Sequence, residues 1–327
     1  HLKGLIGSSL SFVVNSLFNK CELPFLLIFE DKEAAAYYLN DLEQLIGDKE
    51  VLFYPGSFRN PYQVEEVDNA NVLLRAEVLN RINSRKKPAI IVSYTDAIFE
   101  KVVTRKELDK NTLKLSVNDK LSIDFINETL FEYHFKRVDF VSEPGEFSVR
   151  GGIIDVFSFS NDNPYRIEFF GNEVDSIRSF DVETQLSIEK KNKITIIPNV
   201  ENKFFQEDRE SFLDYISSNT TLFIQNTDAL ISKLDSLFAK AEEAYSKLSG
   251  TVKHLAPEQL FLNQKAFLKK ALDFNVVELG SKAIFDSNKT FEFHILPQPS
   301  FNKQFDLLLN NLNENHFNGI KNYLFCS

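Results

Sequence analysis

Pro24-Phe25-Leu26-Leu27-Ile28-Phe29 is a short apolar run with no alternating polar face, which reads as a strand buried on both sides. The stretch after it repeats the theme. Residue spacing predicts a helix over about 32–46, closed by Gly47. Val51-Leu52-Phe53-Tyr54 is the next strand, ended by Pro55-Gly56. A helix is predicted over about 70–83, with Leu73, Leu74, Val78, Leu79 and Ile82 on one stripe, and Pro88 then introduces a third strand over 89–93. Strands alternating with helices predict an α/β part built on a parallel sheet covered on both faces.

Working outward, the pattern changes near Asn111. From there to Pro198 strands dominate, with one helix over about 122–135 and Ser122 as its N-cap. Strands are predicted over 137–141, 147–159, 165–170, 174–181 and 193–197. The turns between them are Glu143-Pro144-Gly145, Asn161-Asp162-Asn163-Pro164 and Gly171-Asn172. This reads as an inserted α+β domain with a mainly antiparallel sheet. After Asn199 the α/β rhythm returns: a strand over 220–224, a helix over 227–247 and a helix over 258–272 started by Pro257. Strands over 274–279 and 291–296, a helix from 302 into the low 310s and a last strand over 323–325 complete it. The expected division is 1–111, 112–198 and 199–327, with the start of the third part completing the first.

Composition narrows the function classes. A hydrophobic share of 43% with 26% charged residues is that of a globular protein. No apolar run reaches the length of a membrane helix. Cys21 and Cys326 lie at opposite ends, which excludes a disulfide framework or a cysteine zinc site and predicts a reducing, cytoplasmic setting. The five His residues are scattered; His134 is expected in an apolar helix and His294 in a strand, both as structural residues. No metal and no cofactor is expected. The absence of Met predicts a piece of a longer protein. A net charge of −10 argues against a module whose main task is gripping DNA, since such affinity comes largely from neutralised phosphates.

Gly4-Leu5-Ile6-Gly7-Ser8-Ser9-Leu10-Ser11 has the outline of a phosphate-binding loop without its chemistry. In G-x-x-x-x-G-K-[ST], backbone N–H groups cradle phosphates, the Lys reaches the outer phosphates and the hydroxyl holds magnesium. Gly4, Gly7 and Ser11 are in place, but Ser9 stands at the second required Gly and Leu10 at the Lys. Leucine cannot neutralise a triphosphate. Small residues at a turn before a helix are also common, so an ordinary loop remains the other reading.

In the predicted strand 165–170, side chains alternate. Tyr165, Ile167 and Phe169 share the core face, and Arg166, Glu168 and Phe170 the other. An aromatic beside an Arg on a polar face is the kind of pair that anchors protein interfaces. Arg150 precedes Gly151-Gly152, a bend that would aim it outward. The alternative is that Phe170 covers the helix over 122–135 while the arginines pair with Glu168, Glu146 or Glu173.

Glu143-Pro-Gly-Glu-Phe-Ser-Val-Arg-Gly-Gly-Ile-Ile-Asp-Val-Phe157 and Pro164-Tyr-Arg-Ile-Glu-Phe-Phe-Gly-Asn-Glu-Val-Asp-Ser-Ile-Arg-Ser-Phe-Asp181 resemble the N-terminal module of the bacterial transcription-repair coupling factor family. That module is similar to the nucleotide-excision-repair protein UvrB. The resemblance implies two degenerate RecA-like, P-loop NTPase-type parts flanking an inserted domain that binds UvrA. It places Arg150, Arg166 and Phe170 on that interface, as two guanidinium contacts and one apolar plug. It aligns Gln225 and Asn226 with the acidic box of UvrB, where both acids have become amides. It leaves no room between Tyr54 and Ala70 for the hairpin with which UvrB clamps DNA. The implied function is a non-catalytic adaptor of transcription-coupled repair. RNA polymerase, DNA and an intramolecular masking domain would engage other regions of the full-length protein. A UvrB-like ATPase and a nucleotide-free DNA-binding module are the competing readings. On the adaptor reading, Phe170→Ala or Arg166→Ala abolishes UvrA binding with the melting temperature nearly unchanged.

Overall fold

The computed structural model describes residues 1–47, 50–57, 62, 69–84, 87–110, 112–159, 161–197, 209–248, 255–286, 289–297 and 301–324. Asn111, Pro198, Asn199, Phe325, Cys326, the basic residues Arg85 and Lys86 and the side chain of Leu73 lie outside that set.

Seven parallel strands form the larger sheet, in the order Phe291–Glu292, Leu2–Lys3, Asn275–Leu279, Thr221–Gln225, Phe25–Phe29, Ile90–Tyr94, Val51–Tyr54. Every residue of the strands Phe25–Phe29 and Ile90–Tyr94 is buried, as strands with both faces covered require, and the Ser93 hydroxyl within the second donates to the Tyr54 carbonyl at 2.8 Å. Strands from before residue 112 and from after residue 198 share this one sheet, with Thr221 in register with Phe25, and Val102–Val103 pairs separately with Arg209–Glu210. Helix Lys32–Ile46 is fixed at both ends. The Asp31 side chain accepts the Ala34 N–H at 2.8 Å, and the Gly47 N–H reaches the Glu43 carbonyl at 2.9 Å. Helix Asn69–Ser84 lies where the stripe predicts.

The chain leaves this body through strand Leu113–Ser116 and returns antiparallel to it through Lys193–Ile196. Between them a six-stranded sheet runs Ser187–Lys191, Glu173–Phe180, Tyr165–Phe170, Ile153–Val156, Glu146–Arg150, Lys136–Arg137, antiparallel except for the last pair. Helix Ile123–Glu132, capped by the Ser122 hydroxyl at 3.1 Å from the Phe125 N–H, contributes Ile126 and Leu130 to the core. Phe147, Ile154, Val156, Ile167 and Ile177 meet them there. The architecture is α/β with an inserted α+β part.

Several expected elements differ. The single strand over 147–159 is a hairpin, because Arg150 pairs with Ile153 across Gly151-Gly152 and Gly151 takes φ +58°, a region open to glycine. The helix over 258–272 is two, Pro257–Leu260 and Gln264–Ala271, the second capped by Asn263. The break lets backbone there pair with the first part: Lys101 N–H bonds the Leu260 carbonyl and Leu262 N–H the Phe99 carbonyl, at 2.9 and 2.8 Å. His134 sits past its helix at φ +59°, and His294 lies beyond a strand that spans only Phe291–Glu292. The strand expected over 137–141 covers only Lys136–Arg137, since Val141 turns in to pack on Phe157 and Phe180. The last helix is Phe305–Phe317, and Tyr323 and Leu324 are not in a strand.

One buried ion pair ties the large sheet to its loops. Arg75, with no exposed surface, lies 3.3 Å from Glu100 and donates to the Pro55 carbonyl at 2.9 Å. Glu100 also accepts the Ser57 N–H and hydroxyl. Removing one partner strands a buried charge. Glu100→Ala is therefore expected to cost about 3–5 kcal/mol, read as a lower urea midpoint.

Candidate functional site

The Gly4–Ser11 loop joins the short strand Leu2–Lys3 to helix Ser9–Cys21. Gly4 has φ +77°, and a Cβ there would fall 2.0 Å from the Phe293 carbonyl oxygen, so only glycine fits. The hydroxyls of the loop are spent within the protein. Ser9 Oγ accepts the Ile6 N–H at 2.9 Å and donates to the Ile6 carbonyl at 2.7 Å. Ser8 Oγ meets the Tyr37 hydroxyl at 2.7 Å. Ser11 donates to buried Asp41 at 3.0 Å. Leu10 is buried in the core. Gln225 ends its strand, and Asn226, at φ +51°, caps helix Thr227–Ser246 by accepting the Ala229 N–H while its amide donates to Glu30 at 2.8 Å. The cavity left here, about 270 Å³, is lined by Gly4, Leu10, Gln225, Asn226 and the carboxylates Glu30 and Asp228, with Lys282 at one side.

A different arrangement occupies the inserted sheet. One face carries the core against helix Ile123–Glu132. On the other, cross-strand register places Arg166 beside Asp155 on one side and Arg178 on the other. Asp155 has no exposed side-chain surface. Arg166 grips it with Nε at 2.7 Å from Oδ1 and Nη2 at 2.9 Å from Oδ2, and Nη1 donates to the Gln185 carbonyl at 3.3 Å. Its guanidinium lies 4.5 Å from the ring centroid of Phe180. Arg150 binds the same carboxylate through Nη2 and Oδ2 and stands 5.3 Å from the ring centroid of Phe140. The hydrogen bond to Asp155 leads the causes that hold the Arg166 pKa above its ordinary value. Phe170, at the end of the strand, is 84% exposed.

The structure thus brings Arg150 and Arg166 onto one carboxylate and leaves Phe170 exposed at the end of the strand that carries Arg166. None of the three acids weighed as arginine partners is the shared one: Glu168 pairs with Arg178, and Glu146 accepts the backbone N–H groups of Ser142 and Glu143 at 3.0 Å each. The sequence reading missed Asp155 and Phe140. The available signal for Asp155 was a lone charge inside the apolar run Ile153-Ile154-Asp155-Val156-Phe157. Gly4, Gly7, Ser9, Leu10 and Ser11 gather at one end of the large sheet with Gln225 and Asn226, apart in the chain from the arginine face. Among the described residues no cluster of acids, His or Cys could hold a metal, and no helix is long and apolar enough to cross a membrane.

Glu168 has its pKa lowered, chiefly by the Ser176 hydroxyl that donates to it at 2.7 Å, with Arg178 adding to the effect. A depressed carboxylate pKa contributes stability that is present above the unfolded value and is lost as pH falls through the folded one. Carbon-detected NMR titration of the carboxyl is expected to place the Glu168 midpoint below that of a free glutamate, and Ser176→Ala to move it upward.

Residues 113–202 match the family model of the UvrB interaction domain. The transcription-repair-coupling factor of Bacillus subtilis (strain 168) is 36% identical over 220 residues, covering 66% of this chain and 18% of that protein. That of Escherichia coli (strain K12) is 26% identical over 194 residues, covering 59% and 17%. The UvrABC system protein B of Thermotoga neapolitana is 26% identical over 214 residues, covering 61% and 32%. The chain therefore spans less than a fifth of the length of these coupling factors. Its inserted sheet, its quoted motifs and these matches converge: the matched part of the chain is similar to the transcription-repair-coupling factors, and residues 113–202 to the UvrB interaction domain.

Proposed function

We propose that this chain is a non-catalytic adaptor of transcription-coupled nucleotide excision repair, which recruits UvrA by presenting the surface that UvrB presents. The observation that carries the reading is Phe170, 84% exposed at the end of the strand that carries Arg166, whose guanidinium shares one buried carboxylate with that of Arg150. An exposed ring beside anchored arginines is the composition of an interface hot spot. The roles are an apolar plug for Phe170 and charge-assisted hydrogen bonds from Arg150 and Arg166. The division into parts 1–111, 112–198 and 199–327 belongs to this reading, with the middle part as the binding unit. The site is cytoplasmic, where UvrA and transcription meet. RNA polymerase, DNA and a masking domain are partners of other regions of the longer protein.

The reading includes loss of ATPase chemistry at the Gly4–Ser11 loop. Its support is the buried Leu10, the hydroxyls consumed by Ile6, Tyr37 and Asp41, and the carboxylates in the cavity. Weak DNA binding follows from the net charge of −10.

Calorimetric titration against purified UvrA tests the proposal. Phe170→Ala is expected to weaken binding by about 2 kcal/mol or more with no change in melting temperature. Arg166→Ala should weaken it comparably. Its melting temperature should also fall, unlike that of Phe170→Ala, because it removes the bidentate partner of buried Asp155. Wild-type affinity in both variants would sink the adaptor reading. Magnesium–ATP is expected to leave the melting temperature unmoved, and a saturable upward shift would favour the ATPase instead.

A further inference from the structure

Five groups stand in a row on the open face of the inserted sheet: the Phe140 ring, the Arg150 guanidinium, the Asp155 carboxylate, the Arg166 guanidinium and the Phe180 ring. Exposure is uneven along the row. Phe180 is buried beneath Arg166, in a small cluster with Val141 and Phe157. The Asp155 side chain has no exposure, that of Arg166 has 18% and that of Arg150 has 41%. Phe140 is 66% exposed. Arg166 has its Nε, Nη1 and Nη2 engaged within the protein, while Arg150 is held at Nη2 and shows far more of its surface. A partner that settles on this face meets the Phe140 end first.

We infer that Phe140 is a further partner-contacting residue and that Asp155 is a positioning residue, which sets Arg150 between its own carboxylate and the Phe140 ring. The inference rests on the UvrA reading above and divides labour within it. Asp155 is too deep to touch a partner. Its effect is to fix a long side chain before docking, so that less rotamer freedom is lost on association. Two guanidiniums on one carboxylate leave one positive charge in excess. The surface that fits is therefore a carboxylate or cluster of carbonyls on UvrA, bordered by apolar ground for the two exposed rings, Phe140 and Phe170. Val138 and Val141 pack on the buried cluster on either side of Phe140, so the loop that carries the ring is itself anchored.

Titration of this chain with UvrA tests the division. Phe140→Ala is expected to weaken binding about tenfold with an unchanged melting temperature, as for an exposed anchor. Asp155→Asn is expected to weaken binding about tenfold in the wild-type background and less than about threefold in an Arg150→Ala/Arg166→Ala background, because the residue acts through the two arginines it holds. A purely structural role would give equal losses in both backgrounds and would overturn the assignment of Asp155. Wild-type affinity for Phe140→Ala, with Phe170→Ala weakened, overturns the assignment of Phe140 while the UvrA reading stands. Wild-type affinity for Phe140→Ala, Phe170→Ala and Arg150→Ala together overturns the reading itself.

Discussion

The arginine face of the inserted sheet depends on a carboxylate with no access to water. Asp155 sits on a central strand of a six-stranded sheet, where a negative charge left alone would carry a large desolvation cost. Two guanidiniums meet it, one of them by a paired grip on both oxygens. The requirement runs both ways. The acid needs the arginines to remain buried, and the arginines take their directions from the acid. Much of the local architecture follows. The Gly151-Gly152 hairpin sets the Arg150–Ile153 pair two register steps from Ser148–Asp155, and the Phe180 ring lies against the Arg166 guanidinium.

The other end of the molecule shows the opposite use of polar groups. Around Gly4–Ser11 the hydroxyls are turned to neighbours within the chain, and Asn226 has become a helix cap. These are bonds that stabilise a loop. The loop's polar groups are thus turned inward, while the inserted sheet leaves Arg150, Phe140 and Phe170 exposed.

The parallel sheet was legible because its inner strands are short and mostly apolar. Phe25–Phe29 and Ile90–Tyr94 have no competing reading once helices lie between them. Caps at Asp31, Ser122 and Asn226 are local signals, but Asn226 was read for its lost charge and not for its capping. What stayed hidden was set by distant partners. The break after Leu260 exists because residues of that segment bond to backbone at Phe99 and Lys101, a contact that no window around Pro257 contains. The hairpin at Gly151-Gly152 was read as a bend within one long strand, since alternation continues on both sides. The strand holding Arg166 and Phe170 could be read from its own alternation. That Arg150 and Arg166 share an acid required cross-strand register, which the sequence does not state.

The paired stems Leu113–Ser116 and Lys193–Ile196 bring the two ends of the insertion side by side. That geometry bears on how the chain reaches its native state. The middle of the parallel sheet needs Phe25–Phe29 to find Thr221–Gln225 across an intervening stretch of about 200 residues, and closing so long a loop is slow. If the insertion collapses first on its own local contacts, its stem ties off that stretch and shortens the search. The inserted part would then act during synthesis as a clasp, and the parallel sheet would be the last part to close.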